Sequence, residues 1–170
     1  MDDIIEVQGF YNQTPVIAFV RKGEEVLNVA GEKLHTNHFV KAFQRLKASH
    51  RLAVLQFRAV PNYKKLRCEF FVQAEPEPSR DFLFRTVLPF LDRSLAEANL
   101  EYAGKRRSRR LNPPCLHIMD ASWEEDVRRS FLLAAGHRDI QYKWRTVAAN
   151  VSELDKRHVR FTVDMEEELQ

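Results

Sequence analysis

Long apolar runs are missing from this chain: none of its 170 residues falls in a stretch approaching the roughly 20 needed to cross a bilayer. The N-terminus is acidic (Asp2, Asp3, Glu6) where a secretory signal would be basic, so the expected location is the cytoplasm, with no membrane partner. Cysteine is scarce. Cys68 and Cys115 stand far apart with no CxxC partner, which reads as two buried thiols rather than a disulfide or a metal pair. A nucleophile elbow, a Walker loop and a dinucleotide fingerprint are all absent, as are internal repeats and low-complexity segments. Charge of one sign is lacking too: the net charge of +3 is too small to argue for nucleic acid by itself.

What is present suits a folded protein. Hydrophobic residues make up 44% of the chain and include twelve Phe, while 30% charged residues and a mean hydropathy of −0.45 exclude a disordered or membrane class. The length allows one good core, or one domain with a remnant of another. Basic residues cluster at Lys105, Arg106, Arg107, Arg109 and Arg110, and acidic ones at Asp164 and Glu166 to Glu168.

Two β-branched runs, Ile4 to Val7 and Pro15 to Val20, flank a turn-rich Gly9 to Thr14, and Gly23 followed by Val26 to Val29 suggests a third short strand. These strands have too little apolar surface to stand alone and are expected to edge a larger body. Gly31 marks a break, and Asn28 to Glu32 is expected to be a hinge. Phe39, Val40, Phe43 and Leu46 follow helical spacing. Leu52 to Val60 reads as a strand, Pro61-Asn62 as a turn, and Leu66, Cys68, Phe70 and Val72 as the buried face of a second strand. A loop at Ala74 to Pro78 precedes a helix capped by Ser79, with Phe84, Val87, Leu88, Leu91, Leu95 and Ala98 on one face and Pro89 as a kink or fresh start. Cys115 to Met119 is a strand, and Ser122 with Glu125 has capping-box spacing for a helix to Ala135, closed by Gly136. The fold class is therefore α+β, a small mixed or antiparallel sheet with helices packed on it. Its expected core holds Phe39, Phe43, Leu55, Phe57, Phe70, Val72, Leu88, Leu91, Leu95, Ile118 and Phe131.

Several segments carry a resemblance. Asp3-Ile4-Ile5-Glu6-Val7 runs into Gly9-Phe10-Tyr11-Asn12-Gln13-Thr14-Pro15; Gly31-Glu32-Lys33-Leu34 precedes a helix; Tyr102 to Leu111 leads to Pro113-Pro114; and Gly136 is followed by Gln141-Tyr142-Lys143-Trp144. In order and spacing, over about residues 2 to 147, these resemble the C-terminal part of the auxin-responsive acyl-acid amido synthetases, and more closely their bacterial relatives. The chain departs from the pattern at His35, where a small hydroxyl residue is usual, and at His137 to Ile140, where small residues are usual.

That resemblance implies an acyl-adenylate-forming enzyme, in which a large N-terminal domain holds ATP and a carboxylic acid and a small C-terminal domain swings over the site as a lid. ATP and Mg2+ would serve the full-length enzyme, and an amine, an amino acid by family, would receive the acyl group. Residues 1–30 would be remnant strands and hinge, 31–149 the lid, and 150–170 a tail without counterpart. The chain alone is expected to be inactive and to carry no cofactor or metal.

By the same resemblance Lys143 would be the catalytic cation, aimed at carboxylate and α-phosphate oxygens that must approach as like charges; the bland alternative is a solvated lysine beside an anchoring Trp144. Asp3 would accept hydrogen bonds from the ribose hydroxyls, or is an ordinary surface acid. Lys33 could reach the phosphate, or pair with Glu32. His35, His38 and His50 lack a carboxylate or Cys that would complete a ligand set, and His117 reads as a structural histidine. The rival class is a binding module: an RNA-binding domain stacking bases on Phe71 and meeting phosphates with Arg106 to Arg110, or a protein-interaction domain pairing through its exposed strands.

Overall fold

A computed structural model describes residues 3–22, 26–50, 52–135 and 141–165 of the chain. Strands β1 (Asp3–Tyr11) and β2 (Thr14–Lys22) pair antiparallel as a separate ribbon. β1 runs through the segment expected to turn, because the turn needs only Asn12 and Gln13, with Asn12 taking the left-handed conformation (φ 55°) that asparagine tolerates. Ile5, Val7, Phe10, Tyr11, Val16 and Ile17 of this ribbon are exposed. β3 (Val26–Leu27) and β4 (Leu34–His35) form a second short ribbon.

The main sheet is four-stranded, in the order β5-β6-β7-β8. β5 (Val54–Asn62) and β6 (Arg67–Ala74) form a hairpin, β6 and β7 (Cys115–Met119) pair in parallel, and β8 (Val159–Asp164) closes the far edge antiparallel to β7. The parallel step requires a crossover. It is supplied by α2 (Arg80–Phe82), a π-helical turn (Leu83–Val87), α3 (Leu88–Ala98) and α4 (Leu100–Arg107). Ser79 caps α2 as expected, accepting from the Phe82 amide at 3.3 Å. Pro89 stands in the first turn of α3, and the π turn just before the helix accommodates a residue that has no amide to offer the preceding turn.

One face of the sheet packs Cys68, Phe70, Val72, Leu116, Ile118 and Val163 with α1 (Thr36–His50) and α3. The other packs Val60, Phe71 and Met119 with Trp123 of α5 (Trp123–Ala135) and with the 144–151 segment. β6 is consequently buried along both faces, so Arg67, Glu69 and Gln73, read from alternation as an outer face, are buried too. The expected turn at Pro61-Asn62 lies instead at residues 63–66: Pro61 pairs with Cys68 inside β5, which a proline can do in an outer strand. Leu66 (φ 45°) ends that turn and is exposed.

Eight of the eleven expected core residues are buried, and Phe57 is half-buried. Leu55 is 52% exposed because the register slips between Val54 and Gln56, leaving it as the unpaired residue of a bulge. Phe131 is 40% exposed since α5 inserts only its first turns, through Trp123 and Val127. Ala98 ends α3 on the surface. The capping box expected at Ser122 and Glu125 is not made: Ser122 hydrogen-bonds Asp120, and Glu125 pairs with Arg129 at 2.8 Å. Gly136 lies outside the described residues, as do residues 137–140.

Residues 151–165, within the segment read as a tail, are part of the body. Ser152 and Asp155 form a capping box on α6 (Glu153–Arg157), and β8 follows directly.

Candidate functional site

β5 is an edge strand, and the chain after α5 returns to cover it. The Ala59 amide donates to Thr146 O at 2.7 Å, and the Ala148 amide donates to Ala59 O at 3.0 Å. Trp144 Nε1 donates to Phe57 O at 2.8 Å. These bonds use the outward backbone groups that an uncovered edge would leave unpaired.

Arg58, between the two, clamps the same segment with its side chain. Its guanidinium carbon lies 4.5 Å from the Trp144 ring centroid and 5.4 Å from that of Trp123. Nε donates to Arg145 O at 3.2 Å, and Nη1 donates to Asp155 Oδ1 at 2.6 Å. Trp123 Nε1 donates to the same Asp155 oxygen at 2.9 Å, while Ser152 holds Oδ2 through its amide and hydroxyl. Burial alone would raise the Asp155 pKa, but the Arg58 charge and the hydrogen bonds from Ser152 and Trp123 outweigh it and hold the carboxyl below its ordinary value.

Lys143 is exposed in this anchored stretch, as are Gln141 and Arg145. Tyr142 on one side rests against Phe131 (centroids 5.2 Å) and Trp144 (6.5 Å), and Trp144 on the other is pinned by Arg58 and Phe57. An ammonium held out from such a segment can meet an anion brought to it, and its backbone is positioned before that anion arrives.

Lys33 is exposed, with a left-handed backbone (φ 46°), in the loop before β4. Its expected alternative partner, Glu32, is otherwise engaged: it is fully buried and accepts from the Val29 and Ala30 amides at 2.7 Å each. The loop is tied further by the Gly31 amide to Asn28 Oδ1 (2.7 Å) and by Asn99 Nδ2 to Glu32 O (3.0 Å). Asp3 begins β1 opposite Lys22; its side chain lies outside what the structure describes. The three site residues expected from sequence thus sit on separate elements, and no hydrogen bond or ion pair among the described residues joins Lys33 to Lys143.

The stacking ring expected of an RNA surface is not displayed, although Arg107, Arg109 and Arg110 are exposed. Phe71 is buried and stacked on His117 (4.5 Å), and Arg106 makes a forked contact with Asp92 at 2.8 to 3.2 Å and caps Leu111 O at 2.8 Å. The basic run is therefore partly structural, as the last turn of α4 and the turn after it. No helix among the described residues is long and apolar enough to cross a membrane.

Fold and site define a small α+β domain, a mixed four-stranded sheet covered on both faces, that displays a lysine from a clamped segment. The chain belongs to the GH3 family: residues 35–152 match the GH3 family C-terminal domain. Its fold is similar to that of a solved GH3.15 acyl acid amido synthetase, with a TM-score of 0.72 and 19% identity, covering 96% of this chain and 31% of that one. A second structure, AtGH3.15 acyl acid amido synthetase in complex with 2,4-DB, matches with a TM-score of 0.69 and 18% identity, over 95% of this chain and 30% of that one. The chain spans about a third of the length of these structures. No curated protein matches it in sequence.

Sequence reasoning named Trp144 as an anchor but missed Arg58, which covers its ring, and Asp155, which holds Arg58. The Ser152-Glu153-Leu154-Asp155 spacing was the available signal for the second. Nothing local marks Arg58, whose role arises only when β5, α5 and α6 meet.

Proposed function

We propose that this chain is the lid part of an ATP-dependent acyl-acid amido synthetase, with Lys143 as its catalytic cation. On this reading residues 1–30 belong with a large adenylation domain and the hinge, and the lid body runs from residue 31 through β8. The observation that carries it is the exposed Lys143 between two anchored rings, in a chain that belongs to the GH3 family.

ATP, when bound by the large domain, supplies the adenylyl group: an acid's carboxylate oxygen attacks the α-phosphorus and pyrophosphate leaves. An amine, an amino acid on this reading, then attacks the acyl carbon and AMP leaves. The residues present suit a contribution to that chemistry rather than the holding of a nucleotide. Lys143 and Lys33 offer cations, and Asp3 offers an acceptor for ribose hydroxyls, but among the described residues no backbone cradle for a triphosphate accompanies them. Mg2+ would assist the polyphosphate, and no residue of this chain is assigned to it. With the lid closed, Lys143 offsets the repulsion between carboxylate and α-phosphate where water is excluded and the interaction is strongest.

The test is ATP–pyrophosphate exchange driven by a carboxylic acid in the full-length enzyme, which Lys143→Ala should lower by on the order of 100-fold or more. Micromolar ATP binding by the 170-residue chain alone would refute the division of labour.

A further inference from the structure

Where β6, β7 and β8 lie side by side, three different metal-ligating groups converge at the end of the sheet away from Lys143. Glu69 pairs in register with Cys115, and His117 follows two residues later, so all three project from the same face. Their ligand atoms lie within 4.8 Å of one another. His117 Nε2 is 3.9 Å from Cys115 Sγ and 3.5 Å from Glu69 Oε2. Tetrahedral zinc with ordinary bond lengths would put those pairs at about 3.6 Å and about 3.4 Å, so small rotations bring the atoms into place.

The surroundings are those a metal site uses. His117 Nδ1 bonds Thr162 Oγ1 at 2.8 Å, which orients the ring with Nε2 toward the cluster. Glu69 Oε1 accepts from Asn62 Nδ2 at 2.8 Å, which leaves Oε2 as the inward oxygen. Arg67 Nη2 stands 3.4 Å from Oε1, yet its stronger partner is Asp164 (2.7 Å), so that charge is matched without drawing on Oε2. A Cys115 thiolate and the Glu69 carboxylate then supply two negative charges for a divalent ion. His117 and Glu69 keep 15% and 11% side-chain exposure, which gives the ion a way in.

We propose that Glu69, Cys115 and His117 form a binding site for a borderline divalent cation of the zinc class, with one coordination position left for water. The S, N and O donors select against Mg2+ and Ca2+, which take oxygen ligands. The bound ion bridges β6 and β7 and stabilises the sheet independently of the Lys143 chemistry.

The test is titration of the untagged, chelator-treated chain with Co2+ under anaerobic conditions. One equivalent should produce a near-ultraviolet thiolate-to-cobalt band and intense visible bands of tetrahedral cobalt, both bleached by Zn2+. Cys115→Ala should abolish the near-ultraviolet band, and Thr162→Val should weaken affinity by about 10- to 100-fold. Cys68→Ala, on the opposite face, should leave both unchanged. Absence of a thiolate band in the wild-type chain overturns the proposal, whatever the folding of the variants, and so does a band that survives Cys115→Ala in a chain whose circular dichroism is unaltered. A signal lost only in His35→Ala or His38→Ala would assign the metal to those histidines and reject this cluster.

Discussion

The Arg58 guanidinium covers the Trp144 ring at 4.5 Å, with the carboxylate of Asp155 at 2.6 Å from its Nη1. One side chain of the sheet edge thereby joins α6 to the segment that carries Lys143, so the stretch around the lysine is held by the domain core rather than by its own sequence.

Trp144 and Lys143 should therefore differ sharply in what they contribute to stability. Truncating a large aromatic that packs on Trp123 and donates to Phe57 O removes buried area and leaves that carbonyl unpaired. Trp144→Ala should cost about 2–4 kcal/mol, somewhat under the figure for a fully buried ring, whereas Lys143→Ala should stay within about 0.5 kcal/mol. Urea denaturation of the two variants measures this. Equal losses would mean that Lys143 is itself structural.

Acid should weaken the same joint. The Asp155 carboxyl is held below its ordinary value chiefly by Arg58 against the cost of burial, so its folded pKa lies under the unfolded value of about 3.9. A depressed carboxyl contributes stability that is present above the unfolded pKa and is lost as pH falls through the folded one. Asp155→Asn, which strips a buried cation of its partner, should cost about 3–5 kcal/mol at pH 7. The gap from wild type should narrow steadily below about pH 4. A gap constant between pH 7 and pH 3 in denaturant titrations would show that Asp155 stays ionised throughout or is unimportant.

Periodicity made the regular parts of this fold legible. Phe39, Phe43 and Leu46 announce α1, and Cys115 to Met119 is recovered residue for residue. What failed depends on distant partners. Arg67, Glu69 and Gln73 alternate like an outer face, yet they are buried among partners distant in sequence or on other strands, Asp164 for Arg67, His117 for Glu69 and the start of α5 for Gln73, and β8 carries no local sign that it will join β7. Leu55 was misplaced by one bulge. At the site, the family motif drew attention to Lys143 and Trp144, while Arg58 looks like any strand arginine until the sheet edge is assembled. The Cys115-x-His117 alternation was visible, but its third member, Glu69, lies one strand away.

The Asn28 to Glu32 loop is more tightly tied than a free hinge would be, and this sharpens its test. Gly31 has φ 101°, a region costly for any other residue, and its amide donates to Asn28 Oδ1. An added Cβ would meet only the flexible end of Lys105 at 3.4 Å, so Gly31→Ala should cost about 1–3 kcal/mol from backbone strain. Gly31→Pro also loses the hydrogen bond and should cost more. If these residues form the moving joint, Gly31→Pro in the full-length enzyme should slow turnover while the circular dichroism of the main sheet persists. Unchanged steady-state rates for both half-reactions would rule out a joint here.

Lys143 and Lys33 can be separated by half-reaction. Adenylation sets a carboxylate against a polyphosphate, and a cation in a closed site lowers that barrier by an amount equivalent to about 10²-fold or more in rate. The amine's attack on a preformed acyl-adenylate involves no such repulsion between anions. On the proposed function, Lys143→Ala in the full-length enzyme should therefore cripple acid-dependent pyrophosphate exchange and spare amide formation from supplied acyl-adenylate. Lys33 is exposed like Lys143 but sits in a loop tied to α4 through Asn99, so Lys33→Ala should affect exchange less. If Lys33→Ala abolishes adenylation and Lys143→Ala does not, the roles are reversed; if neither alters it, neither lysine takes part in the chemistry.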